Sequence, residues 1–240
     1  MPLSMQVEQL NEGVWALTYL VIDESTHQAA LIDPVYDYMD HYAEVISQKG
    51  IKLQFLIATH THADHITACF EMAKIYDCDY VMWKHTASLA VTRYVDDEEK
   101  LMLGSIPISF HYVPGHTEDS MIVEVPGHLF TGDFLFNGQG GVGRDDLPSG
   151  RIDRHWDSLD VLNRFADDML VCSGHEPPGT QCQTLGWNRQ HNPILQMNSI
   201  DEYTKWQHST SASLGYVSKI KTAVPANLFA EIPEVIPWLQ

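Results

Sequence analysis

Residues 59–65 read THTHADH, so three histidines and one aspartate fall within the six positions 60–65. The apolar residues 53–58 precede this cluster and predict a short buried strand. Residues 66–76 follow it with one apolar face and predict a helix, which we expect Asp64 and His65 to start. The cluster is therefore expected on a strand-to-helix loop, a common position for ligating side chains held by a rigid scaffold.

The spacing within the cluster suits metal binding. His60 and His62 are two positions apart, so they can point the same way on an extended or turning backbone. Asp64 and His65 can then point at a neighbouring spot. Neutral imidazole suits zinc and iron, and a carboxylate adds negative charge. The loop could therefore offer two ligand pairs to one or two metal ions.

Three further candidate ligands follow in the chain, each just after an apolar, strand-like segment. They are His116 after residues 106–113, Asp133 after residues 128–131, and His175 after residues 169–172. Four strand ends that converge on one rim are what a metal site between two sheets requires.

The ordered set of H-x-H-x-D-H followed by His116, Asp133 and His175 resembles the signature of the metallo-β-lactamase superfamily. That resemblance implies an α/β fold, an αββα sandwich of two mixed β-sheets flanked by helices, with the metal at one edge of the sheets. Strand–helix alternation in both halves of the chain also favours a layered α/β protein. Because there is no internal repeat or linker, we expect one domain over residues 1–240.

Several segments resemble one branch of that superfamily, the persulfide dioxygenases related to the ethylmalonic encephalopathy protein. These segments are residues 31–35, 58–67, 143–146, 192–193 and 223–228. The sequence SGHE around His175 is instead similar to the glyoxalase II branch.

The dioxygenase resemblance implies one iron(II) held by His60, His116 and Asp133. Such a face of two histidines and one carboxylate leaves open positions for a thiolate-like sulfur and O2. The implied reaction converts glutathione persulfide, O2 and water into sulfite and glutathione. The other cluster members would position ligands or a bound water, with Asp64 and His175 as the catalytic candidates. These members are His62, Asp64, His65 and His175.

Arg144 is the candidate for binding a substrate carboxylate, because its planar guanidinium suits bidentate pairing. A structural ion pair with Asp145 or Asp146 is an equally good interpretation. Arg144 belongs to a glycine-rich loop, residues 137–150, which we expect beside the metal.

The main alternative function is a zinc hydrolase, with one or two ions, that cleaves a thioester as hydroxyacylglutathione hydrolases do, or a lactone. In the two-zinc form a metal-bound hydroxide would attack the carbonyl carbon. The first zinc would be bound by His60, His62 and His116, the second by Asp64, His65 and His175, with Asp133 bridging. A third alternative is a non-catalytic sensor that kept the fold, although the intact ligand set argues against it.

The composition narrows the choice of partner and compartment. Fourteen basic and 32 acidic residues give a net charge of -18, which repels nucleic-acid phosphates and anionic lipid. We therefore expect a small thiol, persulfide or thioester partner derived from glutathione, and neither nucleic acid nor membrane.

The first six residues lack signal-peptide features, and no apolar run approaches the roughly 18 residues that span a bilayer. The four cysteines include no C-x-x-C motif, which favours free thiols in the cytoplasm. The chain could form a homodimer.

Periodicity also predicts the remaining elements. Expected strands are residues 14–22, 28–32, 80–83, 106–113, 121–125, 128–131 and 169–172, and expected helices are residues 38–49, 86–94, 156–165, 183–190 and 199–207.

Overall fold

The computed structural model describes residues 4–11, 16–177 and 179–239. The first half of the chain forms one mixed sheet. Its strands are β1 (Met5–Gln9), β2 (Tyr19–Asp23), β3 (Gln28–Ile32), β4 (Lys52–Ile57), β5 (Asp79–Trp83) and β6 (Arg93–Val95). Pairing is antiparallel from β1 to β3 and parallel from β3 to β6. Helices α1 (Met39–Lys49) and α2 (Cys69–Tyr76) lie in the parallel crossovers.

The second half forms a second mixed sheet. Its strands are β7 (Lys100–Leu103), β8 (Ile106–Tyr112), β9 (Met121–Val125), β10 (His128–Gly132), β11 (Leu170–Ser173) and β12 (Gln183–Thr184). Pairing is parallel between β10 and β11 and antiparallel elsewhere in this sheet. The helices are α3 (Ile152–Ser158), α4 (Leu185–His191), α5 (Ile200–Leu214) and α6 (Ile220–Phe229).

Both sheets are covered on both faces, which confirms the predicted αββα sandwich. Along β2, Leu20 and Ile22 pack toward α1 and α2, while Tyr19 and Val21 pack between the sheets. Because successive strand residues point to opposite faces and both faces are buried, this strand reads as a continuous apolar run. A third apolar cluster, which includes Tyr203, joins the second sheet to α4 and α5. The division into a single domain stays a prediction.

The candidate ligands lie at one edge of this sandwich. β4 delivers the histidine loop, β10 delivers Asp133, and β11 delivers His175, all at their carboxyl ends. His116 lies in the loop between β8 and β9. Parallel strands bring their carboxyl ends to the same edge, where open α/β sheets bind ligands.

Helix α2 begins at Cys69, so the prediction that Asp64 and His65 start it is wrong. Residues 66–68 pair instead with the segment after β3: Tyr36 N donates to Ile66 O (2.8 Å), and Ala68 N donates to Pro34 O (2.8 Å). These hydrogen bonds satisfy the backbone without a helical turn.

Other expected boundaries also shift. Residues 86–94 are not helical; Leu89 N donates to Leu228 O (2.8 Å), and the segment ends in β6. Residues 183 and 184 form β12 against β11 before α4 begins. The helix expected at residues 156–165 starts earlier, at Ile152, and continues as a 3₁₀ helix over Leu159–Arg164. Of the strand expected at residues 14–22, positions 14 and 15 lie outside the described residues. In the part of the chain that the structure describes, no helix has both the length and the apolar character needed to cross a bilayer.

Candidate metal centre

Asp33, just after β3, fixes the backbone and the tautomers of the histidine loop. Its carboxylate accepts hydrogen bonds from Thr59 N (2.7 Å), from Thr59 Oγ1 (2.7 Å) and from His62 Nε2 (3.0 Å). Because the Thr59 hydroxyl gives its proton to Asp33, it accepts from His60 Nδ1 (2.9 Å). His60 Nε2 is thereby left unprotonated as the ligand atom.

The same logic applies to the other two histidines of the loop. His62 donates through Nε2 to Asp33, so Nδ1 keeps its lone pair. His65 Nδ1 lies 3.1 Å from Asp64 Oδ2. Among the described residues, His62 Nδ1 and His65 Nε2 are buried without a hydrogen-bond partner. Buried polar nitrogens rarely lack partners, and a metal ion would satisfy both.

His116 and Asp133 meet opposite this loop. His116 Nδ1 donates to Arg144 O (2.6 Å), which leaves Nε2, 3.4 Å from Asp133 Oδ2, as the ligand atom. Asp133 Oδ1 is buried and has no hydrogen bond within the described chain. Gly174 allows this approach, because a Cβ there would lie 2.6 Å from Asp133 Oδ1.

The described residues contain two groups whose ligand atoms lie within 4.8 Å of one another. The first is His60, His116 and Asp133, and the second is His62, Asp64 and His65. His175 Nε2 lies 3.4 Å from Asp64 Oδ2 and 3.4 Å from Asp133 Oδ1, between the two groups. The structure therefore brings all seven predicted ligands together. The His62 ring centroid lies 4.2 Å from that of His60 and 4.2 Å from that of His65, so the two-zinc prediction, which placed His62 with His60 and His116, stays a prediction.

The charges of the site suit a cation. Burial holds the pKa of His60 well below its ordinary value, and His62 and His116 act in the same direction. Burial also lowers the pKa of His65. At His62, by contrast, burial is outweighed by the carboxylates of Asp33 and Asp64, which raise the pKa. Burial alone would raise the pKa of Asp64, but His65 and His175 outweigh it and hold that pKa well below the usual range. Neutral imidazoles at His60 and His65 beside an ionised Asp64 are the protonation states that metal ligands require.

Arg144 lies at the site but is already paired. Its guanidinium makes a bidentate ion pair with Asp146 (2.6 and 2.7 Å) and donates to Gly215 O (2.7 Å). Its side chain also lines the cavity beside the ligands, so the binding of a substrate carboxylate stays a prediction.

A cavity of about 370 Å³ opens beside Asp133 and His175. That volume lies within the range of small-molecule sites. Its walls are mostly apolar and include Phe136, Val142 and Leu214. The glycine-rich loop supplies part of the lining, which places that loop beside the ligands as expected.

Two residues that position the ligand loops, Asp119 and Asn227, were not predicted from the sequence. Asp119 is buried and accepts from Thr61 Oγ1 (2.6 Å), Thr86 Oγ1 (2.7 Å) and Thr117 Oγ1 (2.7 Å), which joins the His60 and His116 loops. Asn227 of α6 donates through Nδ2 to His62 O and His65 O (2.9 Å each). Asn227 belongs to the segment 223–228 that carried the family resemblance, although no role for it followed from that resemblance.

A buried polar network supports the side of the candidate metal centre formed by His116 and Asp133. His155 donates through Nδ1 to Asp145 (2.6 Å) and through Nε2 to Phe134 O (2.9 Å), next to Asp133. Tyr203 donates to Asp145 (2.7 Å), and Gln207 donates to Gly143 O (2.9 Å). The network thus ties the backbone after Asp133 to the loop whose carbonyl binds His116.

A family model described as Metallo-beta-lactamase superfamily matches residues 16–175, which is 160 of the 240 residues. The chain belongs to the metallo-beta-lactamase superfamily. The predicted family and fold are therefore confirmed.

Within this superfamily, the chain is similar to proteins named for two different reactions. The crystal structure of ETHE1 from Myxococcus xanthus superposes with a TM-score of 0.87 at 30% identity, over 94% of this chain and 99% of that one. The persulfide dioxygenase ETHE1 of Homo sapiens, named as mitochondrial, is 29% identical over 88% of this chain and 82% of its own length. The hydroxyacylglutathione hydrolase of Francisella tularensis is 30% identical over 72% of this chain and 68% of its own.

Another relative is longer than this chain. The beta-lactamase hydrolase-like protein of Agrobacterium fabrum is 24% identical over 89% of this chain, which spans 58% of that relative's length.

Proposed function

We propose that the chain is a mononuclear iron dioxygenase that oxidises glutathione persulfide with O2 to sulfite and glutathione. The observation that carries this proposal is the group formed by His60, His116 and Asp133, in which both imidazoles have Nε2 free for a ligand bond. Two histidines and one carboxylate with open positions are typical of non-haem iron(II) oxygenases. The similarity to the Myxococcus xanthus structure over 94% of the chain supports the same choice.

The three residues of this group would hold the iron. When bound, iron(II) would bring the persulfide sulfur and O2 together and supply electrons. Asp133 would supply negative charge, and its second oxygen would face His175 Nε2 at 3.4 Å. His175 Nε2 would accept the proton of a substrate sulfhydryl or water at the end of the cavity, and the ionised Asp64, with Oδ2 3.4 Å away, would stabilise the imidazolium that forms.

The cavity wall would exclude water and accept the organic part of the substrate. For Arg144 to bind a glutathione carboxylate, that carboxylate would have to displace Asp146 from the guanidinium. The thiols of all four cysteines are free, which supports the cytoplasm as the proposed compartment.

A two-zinc hydrolase of a thioester is the second candidate. The specific observation in its favour is the second ligand group, where His65 Nε2 is buried without a partner in the described chain. The similarity to a hydroxyacylglutathione hydrolase at 30% identity supports the same possibility.

An oxygen electrode separates the two candidates. Protein purified without added metal is assayed for O2 uptake with glutathione persulfide and, in parallel, for hydrolysis of S-lactoylglutathione. O2 uptake with sulfite formation is the expected result. Hydrolysis of the thioester without O2 uptake would overturn the proposal.

A matched pair of variants confirms that the measured activity belongs to this site. His116→Ala should abolish activity with either substrate, since His116 belongs to both proposed metal sites. His208→Ala, at an exposed position on α5, should leave it unchanged.

A further inference from the structure

Cys172 and Cys182 lie side by side outside the metal centre. Their sulfur atoms share a hydrogen bond, with the two Sγ atoms 3.1 Å apart. The antiparallel register of β11 and β12 pairs Leu170 with Thr184 and Val171 with Gln183, so the next pair across is Cys172 and Cys182. Opposite residues of antiparallel strands have Cα atoms about 4.5–5.5 Å apart, within the range that a disulfide spans. An S–S bond of about 2.05 Å therefore needs a side-chain movement of about 1 Å and no change of strand register.

The two thiols differ in access and acidity. Cys182 is half-buried, whereas Cys172 is 2% exposed. The hydrogen bond between the two thiols lowers the pKa of Cys182, and burial opposes this. The hydrogen bond with Cys182 and, to a smaller extent, burial raise the pKa of Cys172 well above its ordinary value. A reachable, more acidic thiol next to a buried one is the arrangement of an attacking and a resolving cysteine.

The other two cysteines lack this arrangement. Burial raises the pKa of the Cys69 thiol. Burial raises the pKa of Cys78 to about 11, although that side chain is half-buried like Cys182. Cys78 is therefore a matched control for exposure alone.

We infer that Cys172 and Cys182 form a redox-active dithiol that low-molecular-weight disulfides oxidise to an intramolecular disulfide. The Cys182 thiolate attacks one sulfur of RS–SR, the S–S bond breaks, and one RS⁻ leaves. Cys172 then loses its proton and attacks the Cys182 sulfur, the second RS⁻ leaves, and the Cys172–Cys182 bond forms. The protein loses two electrons and two protons, which end on two RSH molecules.

The bond would close the segment that carries His175. Residues 173–181 lie between the two cysteines and include His175 and Glu176. Ser173 O accepts from Tyr19 (2.9 Å), and Ser173 Oγ donates to Glu176 (2.6 Å), so the dithiol adjoins the hydrogen bonds that position this segment. Oxidation would restrict the segment covalently and leave the ligands themselves unmodified.

The test is oxidation of the folded full-length chain with glutathione disulfide, followed by thiol counting and peptide mass mapping. We expect the number of free thiols to fall from four to two, with a peptide cross-link between Cys172 and Cys182 and recovery of four thiols with dithiothreitol. Cys172→Ser should stop at a mixed disulfide on Cys182, and Cys182→Ser should form no cross-link. Cys78→Ser should react as the unmodified chain does.

Either of two results would overturn the inference. One is a folded chain that keeps four thiols at glutathione disulfide concentrations that oxidise a reference dithiol. The other is loss of thiols at Cys69 or Cys78 as fast as at Cys182. Both measurements are made on the unmodified chain, so the inference can be tested even if a variant folds poorly.

Discussion

At the scale of single residues, the candidate centre depends on which nitrogen of each imidazole carries the proton. Two consecutive hydrogen bonds, from the Thr59 hydroxyl to Asp33 and from His60 Nδ1 to the Thr59 hydroxyl, leave His60 Nε2 free to bind a metal. The Arg144 carbonyl accepts a hydrogen bond from His116 Nδ1 and so leaves His116 Nε2 free to bind a metal. Outer hydrogen bonds of this kind orient ligands and raise their basicity.

Thr59→Val tests that control of the tautomer. Valine keeps the shape but removes both the donor to Asp33 and the acceptor for His60 Nδ1. We expect iron affinity to fall by about 10–100-fold, as for other losses of outer hydrogen bonds. Competition with a chelator measures the affinity, and Thr92→Val, which removes hydrogen bonds at the start of β5 instead, is the control. An unchanged affinity would show that Thr59 does not set the tautomer.

His175→Ala separates the two candidate functions by metal content. In the proposed dioxygenase, His175 holds a proton and is not an iron ligand, so the variant should keep about one iron per chain and lose most activity. In the two-zinc hydrolase, it should lose the second metal. Elemental analysis of the variant and the unmodified chain decides between these outcomes.

At the scale of elements, the histidine loop is held by a helix distant in the sequence. Asn227 on α6 binds two carbonyls of the loop, and its Oδ1 accepts from Thr67 N (2.9 Å). Since residues 58–68 contain no helical turn before Cys69, these bonds replace those that a helix would supply.

Asn227→Ala should therefore destabilise both the fold and the site. It leaves one buried donor and two acceptors without their partner, and each such loss costs about 1–3 kcal/mol. We expect the free energy of unfolding in urea to fall by at least that amount and the metal to dissociate faster. Asn163→Ala, at an exposed position, is the control. Equal stability of the two variants would contradict this role for Asn227.

At the scale of the whole molecule, Asp23 joins the two sheets. At the end of β2 it accepts hydrogen bonds from Ser25 N (2.8 Å) and from Ser105 N (2.6 Å), the latter in the turn between β7 and β8. The hydrogen bonds from Ser105 and Ser25 outweigh burial and hold the pKa of Asp23 well below its ordinary value.

This lowered pKa predicts a stability that depends on pH. A carboxylate whose pKa is lower in the folded state stabilises the fold above its unfolded pKa of about 3.9, and that contribution is lost as the pH falls through the folded value. Asp23→Asn should therefore lower the free energy of unfolding at pH 7 by about 1–3 kcal/mol. The difference from the unmodified chain should shrink at acid pH. A difference that stays constant with pH would contradict the prediction.

The sequence predicted those parts of the molecule that depend on local spacing. The four residues His60, His62, Asp64 and His65 are nearly adjacent, and the later ligands each follow an apolar strand, so their convergence could be expected. Strand boundaries such as those of β9 were predicted for the same reason. Segments whose hydrogen bonds go to distant residues, such as residues 66–68 and 86–94, were predicted as helix because periodicity does not report such partners.

Contacts between distant residues could not be predicted in the same way. Asn227 lies 162 positions from His65, and only the packing of α6 brings them together. The Cys172–Cys182 pair depends on the register of a two-residue strand, which no alternation in the sequence specifies. Asp119 likewise acts on Thr61 from 58 positions away.

We propose that His60, His116 and Asp133 together hold one iron ion. Anomalous X-ray scattering from crystals of the unmodified chain, grown without added metal and recorded on both sides of the iron edge, tests it most directly. We expect one iron peak at bonding distance from His60 Nε2, His116 Nε2 and an Asp133 oxygen. Two zinc peaks, or a single peak bound by His62, Asp64 and His65, would contradict it.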